Sequence, residues 1–204
     1  MKVEAWQQYQ TPVYGEAADL VCTQPFPCQP VYFWNDHDLN KYKSAYFDMY
    51  KGVWYHGDFI WINPTTLGLV MLGRSDGTLN PGGVRFGSAE LYNIVQVYVQ
   101  VMDALAVGQI TANQEERVIL FLKMQPDHTL DDALISQLTK DIRTRLSPRH
   151  VPARILPTPD IPYTVNGKKV EIAVKRILSN QPYTPSGTLI NPQSLDYFKQ
   201  LEII

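Results

Sequence analysis

Hydrophobic residues alternate with polar ones in short runs over the first third of the chain and recur at three- and four-residue spacing through much of the rest. Val3 to Trp6 reads as a strand, and Gly15-Glu16 followed by Ala18 to Cys22 reads as a turn and a second strand. Pro25, Pro27 and Pro30 then exclude a central strand. In DHDLNKYKSAYF, residues 36–47, Leu39, Tyr42 and Tyr46 share one helical face, with Asn35 or Asp36 as the cap. Gly52 to Tyr55 and Phe59 to Ile62 flank Gly57-Asp58 and predict a hairpin-like pair. Leu67 to Leu72 closes this β-rich part.

The pattern then changes. A charged corner, Arg74-Ser75-Asp76, leads through Asn80-Pro81-Gly82-Gly83 to a predicted helix over Ser88 to Val99, with Ser88 as N-cap. Met102 to Ile110 and Arg117 to Met124 read as strands turned at Ala112-Asn113-Gln114. Leu130, Leu134, Leu138, Ile142 and Leu146 form one apolar stripe, which Ser147-Pro148 ends. Ala153 to Leu156 predicts a short strand, and Val170 to Leu178 a helix whose late basic residues suit its dipole. The order is βαββαβα-like and predicts a small α+β domain. Leu195, Phe198 and Leu201 mark a docked tail or short helix within 180–204.

Composition narrows the picture. The 204 residues are 45% hydrophobic and 19% charged, enough apolar material for one large or two small cores. A net charge of −2 gives no electrostatic footprint for nucleic acid. No apolar run reaches membrane-span length, and no basic–apolar leader opens the sequence. Cys22 and Cys28 lack a metal-ligand pattern and are expected as free thiols. The four histidines are scattered, so no metal site is expected among these residues.

Candidate chemistry concentrates at five places. Asp58 follows Gly57 beside an aromatic strand, where a carboxylate can accept hydrogen bonds from vicinal hydroxyls; local pattern alone also fits a solvated turn. Arg74 presents a rigid fork of donors suited to ribose oxygens or phosphate, or to a surface ion pair. Asp76 is a short acidic residue that tolerates unusual backbone geometry. Gly82 and Gly83 let another molecule approach the backbone closely, and Arg85 stands beside them for a phosphate. Lys168 follows Asn166-Gly167 on an exposed turn and projects an ammonium, with Lys169 as its neighbour.

Three strings in order carry a resemblance: GVWYHGDF at 52–59, GRSD with LN and GGVR over 73–85, and PYTVNGKKVEIAVK at 162–175. Together they resemble the C-terminal third of the adenylate-forming acyl-CoA synthetases. The resemblance covers nearly the whole chain and implies three parts. Residues 1–75 would be the β-rich end of a large adenylation domain, 76–179 a small α+β lid domain, and 180–204 a tail docked on the lid. Met1 to Trp6 reads as a strand in mid-flow, so most of a longer chain is expected ahead of Met1.

The resemblance also implies roles. Asp58 and Arg74 would hold the nucleotide, Asp76 would be the hinge, and Gly82, Gly83 and Arg85 would line the path of coenzyme A. Lys168 would be the catalytic lysine of adenylation. ATP, Mg²⁺ and coenzyme A are the implied substrates and activator, with no tightly bound cofactor. The missing N-terminal domain is the implied partner, with no nucleic acid and no membrane span. Acetoacetate is the implied acid, acetate or propionate the alternative, in a cytosolic ligase of lipid and ketone-body metabolism. The fragment alone is expected to be inactive, and a non-catalytic lid module is the competing reading. Family members often carry Lys or Arg where this chain has Tyr163, and Ser where it has Asn166.

Overall fold

The computed structural model describes residues 1–7, 10–183 and 188–201. The chain divides into two compact units, Met1–Asp76 and Gly77–Ile204.

The first unit is an antiparallel sheet in the order β1 (Val3–Trp6), β2 (Ala17–Cys22), β3 (Trp54–Ile62), β4 (Leu69–Arg74). Ala5, Ala18, Leu20, Trp54, Ile60 and Ile62 bury one face of it. The Pro-rich crossing and helix α1 (Asn40–Tyr46) lay aromatic rings over that face. Tyr46 stacks on Trp54 at 3.7 Å between centroids, and Phe26 meets the same indole edge-on. Buried aromatic pairs of this kind add about 0.5–1.5 kcal/mol beyond their area.

Three expectations are corrected here. Helix α1 covers only Asn40–Tyr46, because Leu39 takes a left-handed φ of 57° that no helix continues through. Asp36 still serves it from outside, accepting the N–H groups of Lys41 and Tyr42 at 3.0 and 2.7 Å. Gly57-Asp58 is no hairpin turn: residues 54–62 are one strand. Gly57, at φ 81°, lies where the register with β2 slips between Asp19 and Val21, so it kinks a strand whose two halves pair with the same neighbour. Strand β4 begins at Leu69, since Leu67 sits at φ 57° in a turn closed by Asn63 N–H to the Gly68 carbonyl.

The second unit is α+β, as the alternation of periods predicts. Helix α2 (Ser88–Val95) precedes β5 (Val101–Ile110), β6 (Glu116–Met124), α3 (Asp132–Arg145), β7 (Arg154–Pro157), α4 (Glu171–Leu178) and α5 (Ser194–Lys199). The leading strand of the predicted order, β4, belongs to the first unit. β5 and β6 pair antiparallel, and β6 and β7 parallel. Period-two alternation explains why β6 is almost wholly apolar. Ala104, Ala106, Leu120 and Leu122 face a core shared with α2 and α3; Leu105, Val107, Ile119 and Phe121 face another shared with α4 and α5. The sheet is therefore covered on both sides.

Helix α2 starts at Ser88, but Gly87 is its cap, with the Gly87 N–H given to Glu90 Oε1 at 3.0 Å. It stops at Val95 because residues 95–101 turn through two tight backbone hydrogen bonds, leaving Val97 and Val99 exposed. Asp131 caps α3 through the Leu134 N–H at 2.8 Å. In the tail, Leu195 and Phe198 are buried, whereas residues 184–187 and 202–204 lie outside the described residues.

Candidate functional site

In the first unit the structure gathers Asp58, Arg74 and Asp76. Asp58 on β3 and Arg74 on β4 are direct cross-strand partners. Their side chains meet at 3.2 Å, Arg74 Nη1 to Asp58 Oδ1. The same guanidinium reaches Asp76 Oδ1 through Nε at 3.5 Å. Sequence reasoning passed over His56, whose Nε2 lies 3.3 Å from Asp58 Oδ2. The Trp54 indole N–H points at His56 Nδ1 at 3.5 Å, which leaves Nε2 to carry the proton towards the carboxylate. Both oxygens of Asp58 are thus engaged on one side, and each keeps a lone pair for a further donor.

Gly57 makes this packing possible. A Cβ there would fall 2.9 Å from Arg74 Nη2, at a φ of 81°. Gly57→Ala is expected to destabilise the chain by about 1–3 kcal/mol, the scale of a non-glycine residue forced into strained backbone. Urea denaturation checks this. The Arg74→Ala background should return part of the cost by removing the clash.

The corner itself is fixed to the sheet by a residue that the sequence did not single out. Buried Asp19 accepts the Ser75 hydroxyl at 2.6 Å and the Tyr50 hydroxyl at 2.9 Å. A buried carboxylate needs such donors, and here they tie the residue just before Asp76 to β2.

In the second unit, Gly82 and Gly83 sit on a loop whose feet, Leu79 and Phe86, exchange backbone hydrogen bonds of 2.9 Å and are both buried. Both glycines have positive φ, 59° and 83°, and Gly83 faces open space. Arg85 is exposed on the same loop. The Asn80 N–H is held by Glu116 Oε1 at 2.6 Å, and Glu116 Oε2 takes Lys175 of α4 at 2.7 Å. The Glu116 side chain lies over Gly108 of the paired strand, where any Cβ would displace it.

Lys168 stands on the turn between Tyr163 and Lys169. Gly167 has φ 72°, its N–H goes to the Thr164 carbonyl at 2.9 Å, and the Lys168 N–H goes to Thr164 Oγ1 at 3.1 Å. The side chain of Lys168 is exposed. Lys169 is engaged elsewhere: its ammonium lies 2.6 Å from both Asp103 Oδ1 and the Ala104 carbonyl, and 4.1 Å from the centre of the Tyr92 ring. Burial, and then the Glu171 carboxylate that accepts its hydroxyl, push the Tyr92 phenol well above its ordinary range. Two adjacent lysines are thus divided into one neutralised and one presented. Cys22 is buried and Cys28 exposed, and both are free.

No protein-family model matches the chain. It is 54% identical over 201 residues to the acetoacetyl-CoA synthetase of Gallus gallus, a match covering 98% of this chain and 30% of that protein. Among solved structures, the acetoacetyl-CoA synthetase from Streptomyces lividans aligns with a TM-score of 0.88 at 38% identity, over 97% of this chain and 30% of that one. The anthranilate CoA ligase AuaEII, at 18% identity and a TM-score of 0.69 over 82% of this chain and 31% of its own, shares the fold. The chain spans about 30% of the length of the curated relatives it matches. Over nearly its whole length, this chain is homologous to the acetoacetyl-CoA synthetases.

Proposed function

We propose that this chain supplies the ribose-contacting edge and the C-terminal lid of an ATP-dependent acid–thiol ligase acting on acetoacetate. The observation that carries this reading is the 54% identity, sustained over 201 residues and so across both units. In the first step the acetoacetate carboxylate attacks the α-phosphorus of ATP, giving acetoacetyl-AMP and pyrophosphate. In the second the thiol of coenzyme A attacks the acyl carbon, giving the thioester and AMP.

Asp58 accepts the ribose hydroxyls and Arg74 reaches the nucleotide beside it. Lys168 brings a cation to the oxygens where two anions are forced together, a preorganised electrostatic role that strengthens when water leaves. Asp76 is the pivot, the kind of element-end position that absorbs a large φ/ψ change. In the second step Gly82 and Gly83 pass the pantetheine arm and Arg85 meets a phosphate. Magnesium arrives with the ATP phosphates. Among the described residues no three His, Cys, Asp or Glu side chains gather as a metal site, and no step is assigned to one here.

No helix among the described residues is long and apolar enough to cross a membrane. The proposed ligase would act in the cytosol, in lipid and ketone-body metabolism.

The test is acetoacetate-dependent exchange of pyrophosphate into ATP. The full-length ligase carrying this segment should catalyse it, with acetoacetate preferred over acetate and propionate. The 204-residue chain alone should form no thioester. Turnover by the chain alone would overturn the division of labour, and preference for acetate or propionate would overturn the substrate. The rival reading is a non-catalytic module that binds a partner or nucleotide. Absence of any exchange in the full-length protein would establish it.

A further inference from the structure

We propose that Asp103 is a positioning residue for adenylation: its carboxylate clamps both feet of the turn that presents Lys168 and takes up the charge of Lys169. The inference rests on the proposed role of Lys168.

Tyr163 and Lys169 face each other as an isolated antiparallel bridge, so they are the two ends from which the 164–168 turn rises. Both side chains converge on one carboxylate. Lys169 Nζ lies 2.6 Å from Asp103 Oδ1, and the Tyr163 hydroxyl donates to Oδ2. Burial, and then the hydrogen bond to Asp103, raise the Tyr163 phenol above its ordinary range and keep it a donor. Asp103 is itself rigid, with Oδ1 accepting the Ala104 N–H at 2.8 Å.

The aim of Asp103 comes from the sheet. The β5–β6 register slips between Val101 and Asp103, an irregularity that re-aims a side chain at a strand end. Beyond it Asp103 pairs with Lys123, whose ammonium goes to Asp160 at 2.8 Å. Asp160 holds Asn191 at 2.6 Å, and Asn191 Oδ1 accepts the Tyr163 N–H at 2.9 Å. Tyr163 is therefore fixed by its backbone from the tail and by its hydroxyl from β5.

The clamp has a chemical consequence. A Gly-Lys-Lys turn offers two cations a residue apart, and only one can meet the reacting oxygens. Asp103 and the Ala104 carbonyl hold Lys169 against the Tyr92 ring, with 23% of its side chain exposed, so Lys168 alone is presented.

The test is Asp103→Asn in the full-length ligase carrying this segment, with the two half-reactions measured separately. The maximal rate of pyrophosphate exchange should fall about 10- to 100-fold, the penalty for misplacing a catalytic group by about 1 Å. The KM for ATP, and thioester formation from preformed acetoacetyl-AMP, should stay within about threefold. Tyr163→Phe removes one O–H and keeps the ring, and should lower the same half-reaction by about 3- to 10-fold. It decides the matter if the Asn variant fails to fold. Unchanged exchange, or equal loss in both half-reactions, overturns the clamp. Lys168→Ala runs alongside: if it spares exchange, the reading of Lys168 fails, whereas its loss together with an unaffected Asp103→Asn sinks the clamp alone.

Discussion

Replacing Lys168 by alanine in the full-length ligase is expected to slow adenylate formation by about 100- to 1,000-fold, the scale seen when one preorganised charge-stabilising donor is removed. The reason lies in the proposed first step, where a carboxylate and a triphosphate would have to approach each other. The ammonium of Lys168 is exposed, while its backbone is pinned through Thr164 at both N–H and carbonyl. The turn spends nothing on holding that charge in a buried ion pair, so the charge is available to substrate. Thioester formation from preformed acetoacetyl-AMP needs no such neutralisation and should change by no more than about threefold. Lys168→Arg should recover only part of the first step, because a planar fork does not reproduce a compact point charge. Pyrophosphate exchange and single-turnover thioester formation separate the two. Equal losses in both would mean that Lys168 supports the fold rather than the reaction.

The elements most legible in the sequence are those whose signal is local. The middle of strand β6 is apolar because it is buried on both faces, and its run of Val118, Ile119, Leu120, Phe121 and Leu122 needed no partner to be read. The stripe Leu134, Leu138 and Ile142 predicted α3 for the same reason. Gly57 shows the limit. Positive φ fits a hairpin turn and a strand bulge equally, and only the pairing of both halves with β2 tells them apart. The exposed turn that carries Lys168 was readable from Gly167, whereas the residues that hold the turn were not. Asp103 meets Tyr163 and Lys169 beside a register slip, and Glu116 reaches Asn80 and Lys175 where Gly108 on the opposite strand leaves it room. Asp19 lies 56 residues before the Ser75 it holds. Such contacts depend on which strands become neighbours, and no run of adjacent residues encodes that.

Phe121→Ala is the substitution expected to cost most in stability, about 3–5 kcal/mol for an aromatic side chain removed from a packed core. Phe121 is fully buried on the central strand of the second sheet, facing Ala173 and Val174 of α4 and Leu195 and Phe198 of α5. Its ring meets Phe198 edge-on at 5.0 Å and 87°. Neither helix can slide into the vacated space without losing its own contacts, since both already pack with fully buried residues. Against a typical domain stability of about 5–15 kcal/mol, that loss leaves little margin. Leu69→Ala, at a position 41% exposed on β4, should by contrast stay within about 0.5 kcal/mol. A double-mutant cycle with Phe198→Ala makes the argument sharper. The two rings share one contact, so the double variant should lose less than the sum of the singles, by about 0.5–1.5 kcal/mol. Urea denaturation of the four proteins measures that coupling. Strict additivity would mean that α5 merely lies against the rest of the second unit, whereas the expected coupling makes the tail a wall of the same core that carries β5, and with it the strand that holds Asp103.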